Sequence, residues 1–272
     1  MEHIYYRLKI ILESPMSIGS GKEEETDHDI VLNSKGEPYI PGTTLAGVYR
    51  SLFAKKAQEK LFGYIDGTNH LQSPLVVYDA KCTNYSENIS IRDSVRLDEY
   101  KVAETGAKFD FQVAETGLEF VSYIELDKRH TKEMVCAIEN QILPALNSGK
   151  ILLGHKTTRG YGQIGVKCQR KTFDLCNEGE RDIWLDFDMF DDKEWCDGDS
   201  IVIGEYKIDS NNETVIKIPL IQKGAISIRR YLTEAEENQP DYEQLSLKYK
   251  DENGKERPVI PGTSWAGAFR HR

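Results

Sequence analysis

Apolar and polar residues alternate from the first turn of the chain. In HIYYRLKIIL, Tyr6, Leu8 and Ile10 recur at every second position, the period of a strand. A polar run, SGKEEETDHD, interrupts the pattern as a loop. IVLNSKGEPYI then reads as a hairpin, with Asn33 to Gly36 supplying the turn. After Pro41 and Gly42 the period lengthens to that of a helix over LAGVYRSLFAKKAQEKLFG, with Thr43 or Thr44 as its cap and Gly63 as its stop. PLVVYDAKC and LEFVSYIEL are strand-like and enclose a long segment, NISIRDSVRLDEYKVAETGAKFDFQVAET. In TKEMVCAIENQILPALNSG, Met134, Ile138, Ile142 and Leu146 recur every four residues and make one apolar stripe. Pro144 is expected to kink the end of this second helix. KILLGHKTTRGYGQIGVKCQ gives a short apolar strand, a glycine-rich loop and another strand.

The resulting order is compatible with an α+β, ferredoxin-like βαββαβ unit that carries a long insertion between its helices. The pattern breaks near Phe173 into an acidic stretch and then starts again. ETVIKIPLIQKGAISI resembles the opening strand, and LKYKDENGKERPVIPGTSWAGAF repeats the hairpin and helix start. Seven of eleven residues are identical between Ile40–Arg50 and Ile260–Arg270. This is an internal repeat of a whole unit. The expected organisation is a first unit over 1–172, an acidic linker over 173–212 and an incomplete second unit over 213–272. Half a ferredoxin-like unit cannot cover its own sheet, so a longer chain or a second chain is expected to complete it.

Composition changes this picture little. With 272 residues, 39% hydrophobic and 29% charged, the chain can bury a sizeable core. No apolar run is long enough to span a bilayer, and the charged N-terminus lacks the features of a signal peptide, so no membrane partner and a cytoplasmic location are expected. Five widely spaced cysteines form no CxxC pair, which argues against a zinc site or a disulfide framework. The net charge of −10 disfavours nucleic-acid binding when averaged, but lysine and arginine gather in the glycine-rich segments.

Chemistry concentrates in GHKTTRGYG. Gly154, Gly160 and Gly162 allow close backbone approach, Lys156 and Arg159 add charge, and Thr157 and Thr158 add hydroxyls. Such a loop can form an anion-binding nest, although a turn with solvated charges has the same composition. The IPGT element places a helix N-terminus behind a turn, which also favours an anion, and Arg50 on that helix is free to face solvent or RNA.

IPGTTLAGVYRSL, QSPLVVYDA with the segment that follows it, LLGHKTTRGYGQIGV and the second IPGTSWAGAFR together resemble the RAMP superfamily of CRISPR-associated RNA-binding proteins. The middle segment is most similar to backbone subunits of type III effector complexes. The resemblance implies an RRM-like sheet that holds the guide strand of a CRISPR RNA by stacking and backbone contacts, with a target RNA and other effector subunits as partners. RNA contacts are then expected at Lys22, Thr43, Thr44, Arg50, Arg92, Lys156, Thr157, Thr158, Arg159 and Tyr161. The long insertion, which holds Arg92 and Lys108, falls where the family has a thumb-like hairpin, and Phe109, Phe111 and Val113 are read either as its apolar wedge or as ordinary strand residues. Trp184, Trp195 and Trp265 are read as core or interface residues.

In family members that cut target RNA, an aspartate lies in the loop before the hairpin. That position corresponds to Asp27, with Asp29 and His28 as alternatives, and Asp27 would also ligate Mg²⁺ or another divalent cation. In an extended loop Asp27 and Asp29 would share a side. Glu23, Glu24 and Glu25 depart from the family pattern and would repel RNA unless offset. Two other functions remain open, a scaffold or capping subunit without catalysis and an endoribonuclease that processes CRISPR RNA.

Overall fold

The computed structural model describes all residues except 22, 87, 98–102, 208–215, 217, 227–228, 231–244, 247, 251–255, 259, 261 and 271–272. Strand β1 (Glu2–Leu12) leads through a long loop to β2 (Tyr39–Ile40), then to helices α1 (Gly42–Ser51) and α2 (Lys55–Phe62). A small hairpin, β3 (Tyr64–Asp66) and β4 (Asn69–Leu71), precedes β5 (Leu75–Val77) and β6 (Ala80–Cys82). The ribbon β7 (Ile89–Leu97) and β8 (Ala103–Ala114) is followed by β9 (Glu119–Leu126). Helices α3 (Lys132–Ala137) and α4 (Leu143–Asn147) lead to β10 (Ile164–Asp174), after which come α5 (Glu178–Asp186), β11 (Asp199–Ile201) and α6 (Gly262–Arg270).

The main sheet is ordered β11-β10-β1-β9-β6-β2, and β5 also pairs with β9. Counting β5 and β6 as one interrupted strand, the principal strands lie 4-1-3-2 and antiparallel. That is the ferredoxin-like arrangement the periodicity implies. Period-two alternation sends Tyr6, Leu8, Ile10 and Leu12 of β1 into the main core with Leu45 and Tyr49 of α1 and with Ile138, Ile142 and Leu146 of the second helical segment.

Both helices differ in detail from expectation. The first is divided, because the chain turns at Leu52–Ala54 and Ala54 is extended. The break lets α1 face the main core while Leu61 of α2 joins Met134 and Ala137 in a second cluster, with Phe53 against Phe62. Neither Thr43 nor Thr44 caps α1. The amide of Gly42 instead donates to the Asp79 carboxylate at 2.7 Å, which places a negative charge at the helix's positive end. Gly63 ends α2 with φ 73°, as expected. The second helix is kinked within its length, since a π turn over Ile138–Ile142 runs into Pro144 and accommodates its missing N–H.

The acidic stretch expected as a linker is, up to Ile201, a layer on the sheet. Most of its carboxylates are exposed while Trp184, Phe187 and Trp195 face in, so burial overrides its charged composition. Trp195 is 1% exposed and packs with Tyr5, Val121, Tyr123 and Phe173, while Trp184 donates its indole N–H to the Tyr5 hydroxyl at 2.9 Å. Strand β11 adds to β10, and Lys171 pairs with Asp197 at 2.8 Å.

The second copy keeps its hairpin, Lys248–Lys250 with Glu256–Pro258, and its helix starts at Gly262 as α1 starts at Gly42. Its expected opening strand is not formed by the residues described there. Positions 216 and 218–226 have no strand partners, and Ile216, Leu220 and Ile221 are exposed. In the first copy β1 is held on both edges, and residues 216 and 218–226 meet no such neighbours. Among the described residues no helix is long and apolar enough to cross a membrane.

Trp195→Ala removes the centre of the aromatic layer and is expected to cost about 3–5 kcal/mol. Urea denaturation followed by circular dichroism checks this. A loss below about 1 kcal/mol would show that the layer is not part of the cooperative fold.

Candidate nucleic-acid interface

Strand direction gathers three loops at one end of the sheet. β1 ends at Leu12, opposite Ile164 at the start of β10, and Ile11 is opposite Glu119 at the start of β9. The acidic loop after β1, the glycine-rich loop before β10 and the foot of the β7–β8 ribbon therefore meet.

The glycine-rich loop is fixed by close backbone approach. A side chain at Gly162 would lie within 2 Å of the Leu153 carbonyl, and one at Gly154 would stand 2.3 Å from the Ser17 carbonyl; both glycines have φ near 80°. His155 donates its amide to Ser17 at 2.7 Å, which ties this loop to the one after β1. Lys156 adopts the left-handed conformation at φ 60°, the one non-glycine residue with positive φ among those described. A short 3₁₀ turn, Thr157–Arg159, leaves Thr158 and Arg159 exposed and Thr157 half-buried. The second copy meets the first here, since a side chain at Gly262 would stand 2.2 Å from the Arg159 carbonyl.

The Lys156 ammonium points away from solvent. Its Nζ is 2.7 Å from the centre of the Phe111 ring and 5.0 Å from that of Phe109, with no hydrogen-bond partner among the described residues. Burial, reinforced by the charge of Arg159, lowers its pKa to about 8. Tyr161 packs on Phe111 at 6.2 Å, and burial raises its hydroxyl pKa. Arg92 is committed elsewhere: its guanidinium contacts Glu115 at 2.5 Å, and both side chains are largely buried. Ser90 bonds the same carboxylate oxygen, which leaves the second Glu115 oxygen buried and without a hydrogen-bond partner among the described residues.

The acidic loop is ordered along β8. Met16 bridges Ala114, Gln112 donates its amide to the His28 carbonyl at 3.0 Å, and its side chain bonds both Ile30 and Glu25. Asp27 and Asp110 exchange reciprocal bonds: each carboxylate accepts the other's backbone N–H, at 2.9 and 3.0 Å. His28 is exposed, with its ring edge-on to Phe109 at 6.2 Å.

Asp29 is not available for catalysis. Its buried carboxylate accepts the amides of Glu24, Glu25 and Thr26 and the Thr26 hydroxyl at 2.7–3.0 Å. Burial acts to raise its pKa, but these donors outweigh burial and hold it at about 2. Asp27 and Asp29 thus do not share a side: the tight turn at Thr26 directs one outward and the other in.

The other expected contacts are scattered. Lys22 lies outside the described residues. Thr43, Thr44 and Arg50 are on α1, beside β6 and three strands from β10, or roughly 14 Å across the sheet. Arg50 instead bonds Gln58 of α2 at 3.3 Å. Of the two readings for Phe111 and Val113, wedge or ordinary strand residues, burial favours the second: they are 3% and 0% exposed at the foot of the ribbon and belong to its packing. The sheet face on which an RRM-type domain stacks bases is closed by the α5–β11 layer. The loop end of the sheet is not covered by this layer.

Sequence reading missed Asp110. The alternation KFDFQV could have found it, because it puts Asp110 and Gln112 on the opposite side of the strand from Phe109 and Phe111. Two adjacent carboxylates fit the way Mg²⁺ binds, through one or two carboxylates with phosphate oxygens completing the shell. No group of three or more His, Cys, Asp or Glu poised for a metal occurs among the described residues.

Because the folded pKa of Asp29 lies below its unfolded value near 4, its stabilisation is full above about pH 4 and is lost as pH falls towards about 2. Asp29→Ala is expected to remove this acid-dependent stability, cost roughly 1–3 kcal/mol and speed hydrogen exchange at Glu25 and Thr26. Unchanged exchange would show that the carboxylate does not hold the turn.

No curated protein matches this chain. The RAMP superfamily profile matches residues 9–165, more than half of the sequence, and covers the end of β1, the acidic loop, the IPGT helix, the ribbon and the glycine-rich loop. The chain belongs to the RAMP superfamily, whose role is CRISPR-associated RNA binding.

Proposed function

We propose that this chain is a subunit of a type III CRISPR effector that holds the guide strand at the loop end of its sheet and presents Asp27 to a paired target RNA. The convergence of the acidic loop, the ribbon foot and the glycine-rich loop at that end supports the reading most directly. One flank carries Lys156 and Arg159 for phosphates, and the other carries Asp27 and Asp110. Sequence selection then comes from base pairing between guide and target, so few side chains need to reach base edges. The RAMP assignment also points to CRISPR RNA and other effector subunits as partners.

Cleavage proceeds by attack of the target's 2′-oxygen on the adjacent phosphorus. The bond to the 5′-oxygen breaks and that oxygen takes a proton from water, leaving a 2′,3′-cyclic phosphate and a 5′-hydroxyl. Asp27 orients and accepts the proton of the attacking hydroxyl, and Arg159 lies on the flank where phosphate charge must be offset. Asp27 and Asp110 would hold Mg²⁺, which supplies charge neutralisation at the phosphate.

A second reading is a scaffold that binds RNA without cutting it. One observation favours it: an oxygen of Asp27 is already occupied by the Asp110 amide.

Assembled complex carrying Asp27→Ala is expected to lose one target cut site while retaining guide RNA, as read on a denaturing gel. An unchanged cut pattern supports the scaffold. Lys156→Ala with Arg159→Ala is expected to weaken RNA binding and to reduce the salt slope by up to about 1.4. An unchanged slope removes the glycine-rich loop from the RNA path.

A further inference from the structure

Lys156 is placed at some cost. It takes up a left-handed backbone although it has a Cβ, and its ammonium is removed from water without a hydrogen bond in exchange. Among the described residues, the ring faces of Phe111 and Phe109 attract it through cation–π contacts. A lysine with only a packing role would extend its ammonium to solvent.

The charged and titratable groups around it do not quench the charge. Arg159, on its own loop, repels it. Tyr161 packs against the same Phe111 ring, and on the ribbon side Arg92 is already neutralised by Glu115. His28 sits on the Phe109 side, with Asp27 and Asp110 bonded to one another's amides. His155 precedes Lys156 and is exposed, while α6 meets the loop through Gly262 at the Arg159 backbone.

We propose that Lys156 is a stored cation. In the free protein it rests on the Phe109–Phe111 rings, and when RNA arrives it leaves them to bind a backbone phosphate, uncovering the ring faces for a base or sugar. The proposal rests on the reading that the glycine-rich loop lies on the RNA path. Exchange of an uncompensated cation–π contact for a charge-assisted hydrogen bond drives the movement.

Proton linkage follows from the same environment. The ring-docked ammonium is lowered to about 8, and contact with a phosphate raises it again, so above about pH 8 binding takes up one proton. Affinity is then full below that pH and falls as pH rises through it.

The test uses the full chain with its lysines reductively ¹³C-dimethylated, the Lys156 signal being assigned by its absence in Lys156→Arg. A single-stranded oligoadenylate serves as probe, because adenine has no group titrating in this range. In the free protein the Lys156 methyl signal is expected to show an upfield ring-current shift, which saturating oligoadenylate abolishes. Wild-type affinity for unmodified protein is expected to fall about tenfold from about pH 7 to about pH 9, whereas Lys156→Arg, charged throughout, stays flat.

A ring-shifted signal that persists at saturation would make Lys156 a fixed packing element and overturn the proposal. So would a pH-independent affinity in the wild type. Absence of any oligoadenylate binding at about pH 7 would instead refute the RNA-path reading on which the proposal stands.

Discussion

Strand β1 is hydrogen-bonded along both edges and covered on both faces, and the position of every loop at the candidate site depends on that. Its register fixes β10 from Glu2 to Leu12 and β9 from Ile4 to Ile11. Its even-numbered residues enter the helical core, while Tyr5 enters the aromatic layer on the opposite side. A slip of one residue would exchange these two sets, placing Arg7 and Lys9 where Leu8 and Ile10 now lie. The strand is therefore held in one register, and the loop that leaves it at Leu12 begins beside the glycine-rich loop.

That loop is acidic, yet it does not behave as a repelling fringe. Asp29 is turned inward and saturated by four donors, so one carboxylate serves as the pin of the turn. Gln112 takes up Glu25, and Asp110 takes up the Asp27 amide. Charge-assisted hydrogen bonds to backbone N–H groups are strong enough to order a stretch that self-repulsion would otherwise spread. The cost is local acidity beside the glycine-rich loop, and Lys156 and Arg159 lie on the flank that offsets it.

Closing the second sheet face separates this domain from RRM-type binding. Tyr5 and Tyr123 stand on the two central strands, where bases would stack, but Trp184, Phe187 and Trp195 occupy that surface. Their burial stabilises the sheet and closes that face. The aromatic rings at the loop end are Phe109, Phe111 and Tyr161, and one of their faces is held by a lysine.

What the sequence by itself determined is what depends on neighbours along the chain. Periods of two and four residues located β1 and the second helix, and the repeated IPGT placed helix starts at Gly42 and Gly262. The ferredoxin-like order followed from those elements, and the motifs identified the family. Tertiary structure alone decided what depends on residues far apart in the chain. Asp27 and Asp29 are two positions apart and chemically identical, yet only folding directs one to Asp110 and the other into its own turn. Arg92 is spent on Glu115, Thr43 is three strands from the glycine-rich loop, and acidic residues 178–201 become a core layer because their aromatics find the sheet. Hydrogen bonds and burial act between atoms brought together by the fold, and local spacing carries no record of which distant partner a side chain will meet.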